Sequence, residues 1–228
     1  MPHTTLHSFH EPAELDPALA AALADRLRLG LENNGAATLA VSGGRTPAGF
    51  FRALSQADLD WANISVTLVD ERCVGEDSPF SNTASVRQHL LTGKAARAKF
   101  LPLYVAGEDF SVTLERLRHL PTVLDAVVLG MGEDGHTASI FPDSPQREAA
   151  LHDASGNPAL RVTGKAPVVQ RVTLTAPRIL ASQAVFLHIT GHAKWQILGK
   201  ALECRSAELP VSHFLHAEGI ESHVFWAP

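Results

Sequence analysis

Short apolar runs alternate with amphipathic segments along the chain, which predicts strands and helices in turn. Leu19, Leu23, Leu27 and Leu31 recur every four residues and predict one helical stripe, beginning at 16–17 and stopped by the glycine at 35. Strands are predicted at 38–41, 64–69, 124–129, 171–175 and 184–189, with one or two edge strands in 211–226. Further helices are predicted near 47, at 81–91, at 109–119 and after 190, the last with Trp195, Leu198 and Leu202 on its buried face.

This alternation is typical of a parallel sheet covered by helices on both faces, and the predicted fold is an open, mostly parallel α/β sheet. No repeat, low-complexity tract or Gly/Ser linker divides the 228 residues, so we expect one domain over 1–228. Open α/β sheets bind ligands in the crevice at the carboxyl ends of their strands. The residues directly after each strand are therefore the candidates for a functional site.

The amino-acid composition limits the kinds of ligand or partner that the protein is expected to bind. The 19 basic and 24 acidic residues give a net charge of −5, which argues against a nucleic-acid binder but not against a small phosphorylated ligand. The two cysteines, Cys73 and Cys204, form neither a disulfide framework nor a metal-binding spacing. The N-terminal residues lack the basic start and apolar run of a signal peptide, and no apolar stretch is long enough to span a bilayer. We expect a cytoplasmic protein with no membrane partner.

A glycine turn follows the first predicted buried strand and leads into a helix. Its residues are Ser42, Gly43, Gly44, Arg45 and Thr46. Glycines let the backbone approach an anion closely, and a helix N-terminus presents unpaired N–H groups to it. The segment predicts a phosphate-binding loop, and a plain tight turn is the alternative.

Charged residues stand at three other strand ends. Asp70, Glu71 and Arg72 follow the strand at 64–69, where they form either a surface ion-pair cluster or part of a site. Arg171 heads an apolar strand and either extends its charge to solvent or contacts a ligand. Lys194 falls in the first turn of a predicted helix, where the helix dipole disfavours a cation, so it either binds a phosphate or is a solvated surface lysine.

The segment 130–137 contains the spacing G-x-G-x-x-G directly after a strand. We reject a dinucleotide-binding loop, because the segment lies past mid-chain and Pro142 and Pro145 exclude the long helix that such a loop requires. The candidate catalytic residues of this segment are Asp134 and His136. A histidine beside a carboxylate in a glycine-rich loop can act as a general base near neutral pH.

Four segments taken together resemble the 6-phosphogluconolactonase family: 39–47, 69–72, 130–142 and 171–175. Ser81, Asn82 and the segment 191–194 also match. The resemblance implies a Rossmann-like sheet, a monomer, no cofactor, no required metal, and hydrolysis of a phosphorylated sugar lactone in the oxidative pentose phosphate pathway.

The resemblance also implies roles for the candidate residues. His136 would deprotonate the water that attacks the lactone carbonyl, Asp134 would support its imidazole, and N–H groups of 132–135 would stabilise the oxyanion. The phosphate-binding residues would be Ser42, Gly43, Gly44, Arg45, Thr46, Arg72 and Lys194, with Arg171 a further candidate.

Three alternatives belong to other functional classes. Glucosamine-6-phosphate deaminase has a similar fold, but it carries a tyrosine where this chain has Arg72 and a catalytic glutamate where this chain has 139–142. A sugar-phosphate sensor of a transcription regulator would need a DNA-binding module, for which the first 35 or so residues are too few. The third alternative, a nicotinamide oxidoreductase, is supported only by the glycine spacing in 130–137, which we reject as a dinucleotide-binding loop. Residues 143–170 carry no family signal, and either a lid or a crossover fits them.

Overall fold

The computed structural model of the chain describes residues 4–44 and 46–228. The strands are β1 (Thr4–Ser8), β2 (Ala37–Val41), β3 (Ile64–Leu68), β4 (Asp70–Arg72), β5 (Lys99–Leu101), β6 (Ala126–Leu129), β7 (Ala159–Thr163), β8 (Gln170–Leu174), β9 (Ala184–Thr190) and β10 (Glu221–Ala227). The α-helices are α1 (Pro12–Asn34), α2 (Ala48–Leu54), α3 (Asn82–His89), α4 (Phe110–Arg118), α5 (Arg147–His152), α6 (Ala176–Leu180), α7 (His192–Glu203) and α8 (Ser212–Leu215). Short 3₁₀ turns lie at Trp61–Asn63 and Gly93–Arg97.

Seven strands form the central sheet, in the order β1-β10-β9-β6-β2-β3-β5, and every neighbouring pair is parallel. All residues of β2 and β6 are buried, as expected for central strands covered on both faces. The prediction of an open, mostly parallel α/β sheet flanked by helices is confirmed. The carboxyl ends of β2, β6 and β9 therefore meet at one edge.

A second, antiparallel sheet of order β4-β8-β7 was not predicted. It begins where β3 ends, and its register places Arg72 opposite Arg171. The segment 171–175 is thus a strand, as expected, but it does not belong to the parallel sheet. Residues 143–170 supply α5, β7 and the turn before β8, so this segment builds part of the small sheet.

The N-terminal helix starts earlier than predicted. Glu11 has an extended backbone, Pro12 occupies the first turn, and Pro17 lies inside α1. Leu15 is fully buried, so the extra turn packs into the core and offsets the hydrogen bond that Pro17 cannot make. The predicted end is correct: Gly35 has a φ of 70°, and its N–H donates to the carbonyl of Leu31 at 2.9 Å.

The C-terminal segment also differs from the prediction. It forms α8 and then β10, which lies between β1 and β9 rather than at an edge. The edge strand on that side is β1, which the sequence pattern did not reveal. On α7, Leu198 is buried and Trp195 is partly buried, but Leu202 is 38% exposed, so its predicted burial was wrong. No helix in the described ranges has the length and apolar character needed to cross a membrane.

Candidate active site

A cavity of about 360 Å³ opens at the carboxyl edge of the central sheet and is bounded on one side by the small antiparallel sheet. Most of the predicted site residues line it: Ser42, Gly43, Thr46, Arg72, His136, Arg171 and Lys194. Gly44 and Asp134 lie just behind this wall, and Arg45 lies outside the described residues. Residues from five separate parts of the chain thus meet in one place.

The glycine turn after β2 is fixed to its neighbours by hydrogen bonds. The Ser42 hydroxyl accepts the N–H of Gly130 at 3.0 Å, which links this turn to the one after β6. A side chain at Gly43 would overlap Asn82, and Gly44 has a φ of 101°, a conformation that favours glycine. The turn can therefore present its backbone closely to a ligand, although α2 behind it has only seven residues.

The two acids of the Asp70-Glu71-Arg72 triplet have structural partners. Glu71 is 1% exposed and accepts the backbone N–H groups of Arg72, Asn82 and Thr83 at 2.7–2.8 Å. Burial raises the pKa of Glu71, and these hydrogen bonds offset part of the rise. Asp70 accepts the Ser139 hydroxyl at 2.5 Å. These contacts join β4 to the start of α3 and to the turn after β6.

Arg72 is held at the cavity wall by its Nη1 atom, which donates to the carbonyl of Phe80 at 2.7 Å and to Asn82 Oδ1 at 2.8 Å. Its Nε atom is buried and has no hydrogen-bond partner among the described residues. The cross-strand neighbour is Arg171. Burial and the adjacent Arg72 guanidinium lower the pKa of Arg171. Two neighbouring guanidinium groups on one wall favour an anionic ligand.

The turn after β6 presents His136 beside Asp134. His136 Nδ1 lies 2.5 Å from Asp134 Oδ1, and the His136 backbone N–H donates to the same oxygen at 3.1 Å. Burial opposes ionisation of Asp134, but hydrogen bonds from His136 and Lys165 outweigh it and hold the pKa of Asp134 far below its usual range. A side chain at Gly132 would overlap the imidazole, so this glycine makes room for the pair.

The imidazole of His136 also packs against an aromatic ring. The ring centroids of His136 and Phe141 are 4.3 Å apart. The imidazole is thus held at Nδ1 by a carboxylate and packed against an aromatic ring, with 29% of its side chain exposed. Nδ1 is committed to Asp134, which leaves Nε2 as the nitrogen available for chemistry.

Lys165 is a site residue that sequence reasoning missed. Its Nζ atom lies 2.5 Å from Asp134 Oδ2 and 3.6 Å from Asp143 Oδ2, and the side chain lines the cavity. It comes from the turn between β7 and β8, within the segment that carried no recognisable signal. No local pattern marks it, because only the pairing of the small sheet brings this turn to the carboxyl edge.

Lys194 lies in the first turn of α7, as predicted, and reaches the cavity. Burial lowers the pKa of Lys194, and Glu133 partly counters this. No carboxylate among the described residues lies within 4.0 Å of its Nζ atom, so its charge is available to a bound anion.

The floor of the cavity contains a second histidine that the sequence analysis did not select. His188 on β9 is 4% exposed, its ring lies edge-on to Phe50, and its Nε2 atom has no hydrogen-bond partner among the described residues. Asp16 Oδ1 is 3.7 Å from that nitrogen, too far for a hydrogen bond. Burial and the charge of Lys194 lower the pKa of His188 to about 4.

The cavity wall is therefore cationic and contains one carboxylate side chain, Asp70, among the described lining residues. Within residues 4–44 and 46–228, no group of three or more His, Cys, Asp or Glu side chains is placed to hold a metal ion. The arrangement places a histidine–carboxylate pair beside several cationic side chains, which suits acid–base chemistry on an anionic substrate.

Comparison with known proteins identifies the family of the chain. The family model of glucosamine-6-phosphate isomerases/6-phosphogluconolactonase matches residues 10–226. A 6-phosphogluconolactonase of Neisseria meningitidis serogroup A is 40% identical over 227 residues, covering 97% of this chain and 98% of that protein. One of Mesorhizobium japonicum is 42% identical over 226 residues, covering 97% of this chain and 94% of that protein. The crystal structure of a 6-phosphogluconolactonase from Shewanella baltica superposes with a TM-score of 0.93 at 34% identity, over 99% of this chain and 98% of that one. The chain belongs to the glucosamine-6-phosphate isomerase/6-phosphogluconolactonase family.

Proposed function

We propose that this protein hydrolyses 6-phospho-D-glucono-1,5-lactone to 6-phospho-D-gluconate in the oxidative pentose phosphate pathway. The observation that carries the proposal is the His136–Asp134 pair, 2.5 Å apart, beside a cavity that Arg72, Arg171 and Lys194 also line. Full-length relatives named 6-phosphogluconolactonase, at 40% and 42% identity, support the same substrate.

His136 is the general base of the proposed reaction. Asp134 accepts a hydrogen bond from Nδ1–H, so Nε2 has a free lone pair and takes a proton from the water that attacks the lactone carbonyl. The tetrahedral intermediate then collapses, the bond from the carbonyl carbon to the ring oxygen breaks, and that oxygen takes the proton back from His136. Lactone and water give the open-chain acid, and the imidazole returns to its neutral form.

The substrate phosphate is held by the cationic wall and the glycine turn. Arg72, Arg171 and Lys194 supply the charge, because none of the three is paired with a carboxylate in the described structure. Arg171 is the more engaged arginine, because its Nε atom and an Nη atom donate to the carbonyls of Val168 and Lys165 at 2.8 and 3.4 Å, whereas Arg72 donates from Nη1 alone. We therefore assign the larger share of phosphate binding to Arg72 and Lys194, with the backbone of Ser42 and the two following glycines alongside.

The oxyanion of the intermediate needs donors, and the turn after β6 offers fewer than expected. The Gly132 N–H donates to the carbonyl of His136 at 2.9 Å, and the Gly135 N–H donates to that of Gly132 at 3.0 Å. The N–H groups of Glu133 and Asp134 make no backbone hydrogen bond in the described structure. These two groups are the better candidates for oxyanion stabilisation.

Conversion of glucosamine 6-phosphate, the other substrate in the family name, is less well supported. Ring opening and isomerisation need an acid/base group besides the histidine. The one carboxylate side chain among the described lining residues is Asp70, and its Oδ2 accepts the Ser139 hydroxyl at 2.5 Å. This chain has no free carboxylate placed for that step in the described cavity.

The test generates the lactone in situ and compares its hydrolysis with the spontaneous rate. We expect strong acceleration by the wild type and a loss of roughly 10²–10⁴-fold in kcat for His136→Ala. His10→Ala, which changes an exposed histidine on the N-terminal side of α1, is the matched control and should retain full activity. Full activity in His136→Ala would show that another residue is the general base. Absence of acceleration by the wild type would refute the lactonase proposal, and glucosamine 6-phosphate would be the next substrate.

A further inference from the structure

We propose that Lys165 is a positioning residue that clamps Asp134 and, through its charge, sets the lower pH limit at which His136 works as a base. The inference rests on the proposed function and deepens it. Asp134 has two carboxylate oxygens, and each has a separate partner. Oδ1 receives His136 Nδ1 at 2.5 Å, and Oδ2 receives Lys165 Nζ at 2.5 Å. With both oxygens engaged, the carboxylate cannot rotate away from the imidazole.

The turn that carries Lys165 is itself anchored. The Gly164 N–H donates to the carbonyl of Val169 at 2.7 Å and closes the turn between β7 and β8. Arg171 donates from Nε to the carbonyl of Val168 at 2.8 Å and from an Nη atom to the carbonyl of Lys165 at 3.4 Å. Arg171 therefore fixes the turn, and the turn fixes the ammonium group next to Asp134.

The charge of Lys165 decides how strongly Asp134 holds the proton of the imidazole. A lone carboxylate beside a histidine stabilises the charged imidazolium, which removes the base from use at low pH. An ammonium on the second oxygen compensates that negative charge. Asp134 then holds the orientation of His136 while Lys165 offsets the carboxylate charge.

Lys165 is better suited to this role than to binding the phosphate. Its ammonium lies within 3.6 Å of two carboxylates, Asp134 and Asp143, so its charge is already compensated. The hydrogen bond to Asp134 raises the pKa of Lys165, which keeps the ammonium charged. Lys194 has no such partner in the described structure and remains the phosphate-binding lysine.

The test is the pH profile of kcat/KM for Lys165→Met, with Lys165→Arg as the charge-conserving variant and Lys200→Met as the matched surface control. We expect the acidic midpoint of Lys165→Met to move up by about one pH unit, since Lys165 is 47% exposed and solvent screens its charge. In Lys165→Met, Asp143 also loses its ion-pair partner, and its uncompensated negative charge raises the midpoint further. Lys165→Arg should restore the midpoint, Lys200→Met should not move it, and KM should stay within about twofold of the wild type.

Among the residues that the structure describes, the other charged or titratable groups around the cavity are Asp70 and Arg72 on β4, Arg171 on β8, Glu133 in the turn after β6, His188 on β9 and Lys194 on α7. They are common to all variants, so the shift reports on Lys165. A lower kcat with an unchanged midpoint would reduce Lys165 to a structural role and overturn the inference. A higher KM with an unchanged midpoint would make it a substrate ligand and also overturn it.

A second readout separates this inference from the proposed function. The His136 ring proton resonance is titrated by NMR in the free wild type and in Lys165→Met, with assignment by loss of the signal in His136→Gln. The midpoint should rise by the same amount in Lys165→Met, whether or not the protein hydrolyses the lactone. Equal midpoints in the two proteins would refute the role of Lys165 even if the lactonase activity is found.

Discussion

Acidification should destabilise this protein through a histidine on the floor of the cavity. His188 is 4% exposed, and burial together with the charge of Lys194 lowers its pKa from 6.5 to about 4. Its imidazole is therefore neutral in the folded protein over a range in which the unfolded chain carries a proton at that position. A proton that binds the unfolded state more tightly shifts the equilibrium towards unfolding as the pH falls.

The two pKa values set the sign and the size of the effect. The contribution of His188 to stability is fully present above pH 6.5 and is lost as the pH falls towards 4. Between about pH 7.5 and about pH 5, the free energy of unfolding should fall by ~2 kcal/mol on account of this residue. His213 also has a pKa lowered to about 4 and acts in the same direction.

The assay is urea unfolding of the wild type and of His188→Gln at the two pH values. Glutamine has a similar polar end but no titratable group, so the variant should lose ~2 kcal/mol less than the wild type on acidification. His213 is present in both proteins and cancels in the difference. Equal losses in the two proteins would show that His188 binds its proton as readily when folded as when unfolded, and the reasoning from burial would be wrong.

Three further predictions concern the site and its supports. Lys194→Ala should raise KM much more than it lowers kcat, because a phosphate contact is lost; steady-state kinetics with an unchanged KM would remove Lys194 from the phosphate site. Gly132→Ala should lower kcat by about 100-fold, because the new methyl group displaces His136, and thermal unfolding should show that the fold is retained. Glu71→Ala should lower the free energy of unfolding by about 3 kcal/mol, since three backbone N–H groups lose their acceptor. The control, Glu76→Ala, breaks an exposed ion pair with Arg87 and should cost less than about 1 kcal/mol; similar losses in both would contradict the assigned role of Glu71.

The sequence alone was sufficient to predict the parallel α/β sheet and most of the loops that line the cavity. Buried strands have continuous apolar runs, and helices have a leucine stripe, so hydrophobic periodicity identifies both. The carboxyl ends of parallel strands meet at one edge, so Ser42, His136 and Lys194 could be placed near one another from strand ends alone.

The order of the strands in the central sheet and the identity of its edge strands were harder to predict. The strand β1 and the position of β10 inside the sheet depend on pairing between residues more than 200 positions apart, such as Thr4 with Ser222. The early start of α1 depends on the burial of Leu15. Such long-range packing leaves no periodic signal in the local sequence.

The composition of the site was decided partly by sequence and partly by tertiary structure. The glycine turns and the Asp134–His136 pair are short-range features, because their residues are two positions apart and a local turn is enough to join them. Lys165 and His188 reach the cavity only through the antiparallel pairing of β7 with β8 and the parallel pairing of β6 with β9. The sequence identified the loops that line the cavity, whereas the tertiary structure decided the charges and burial around them, because those depend on contacts between distant segments.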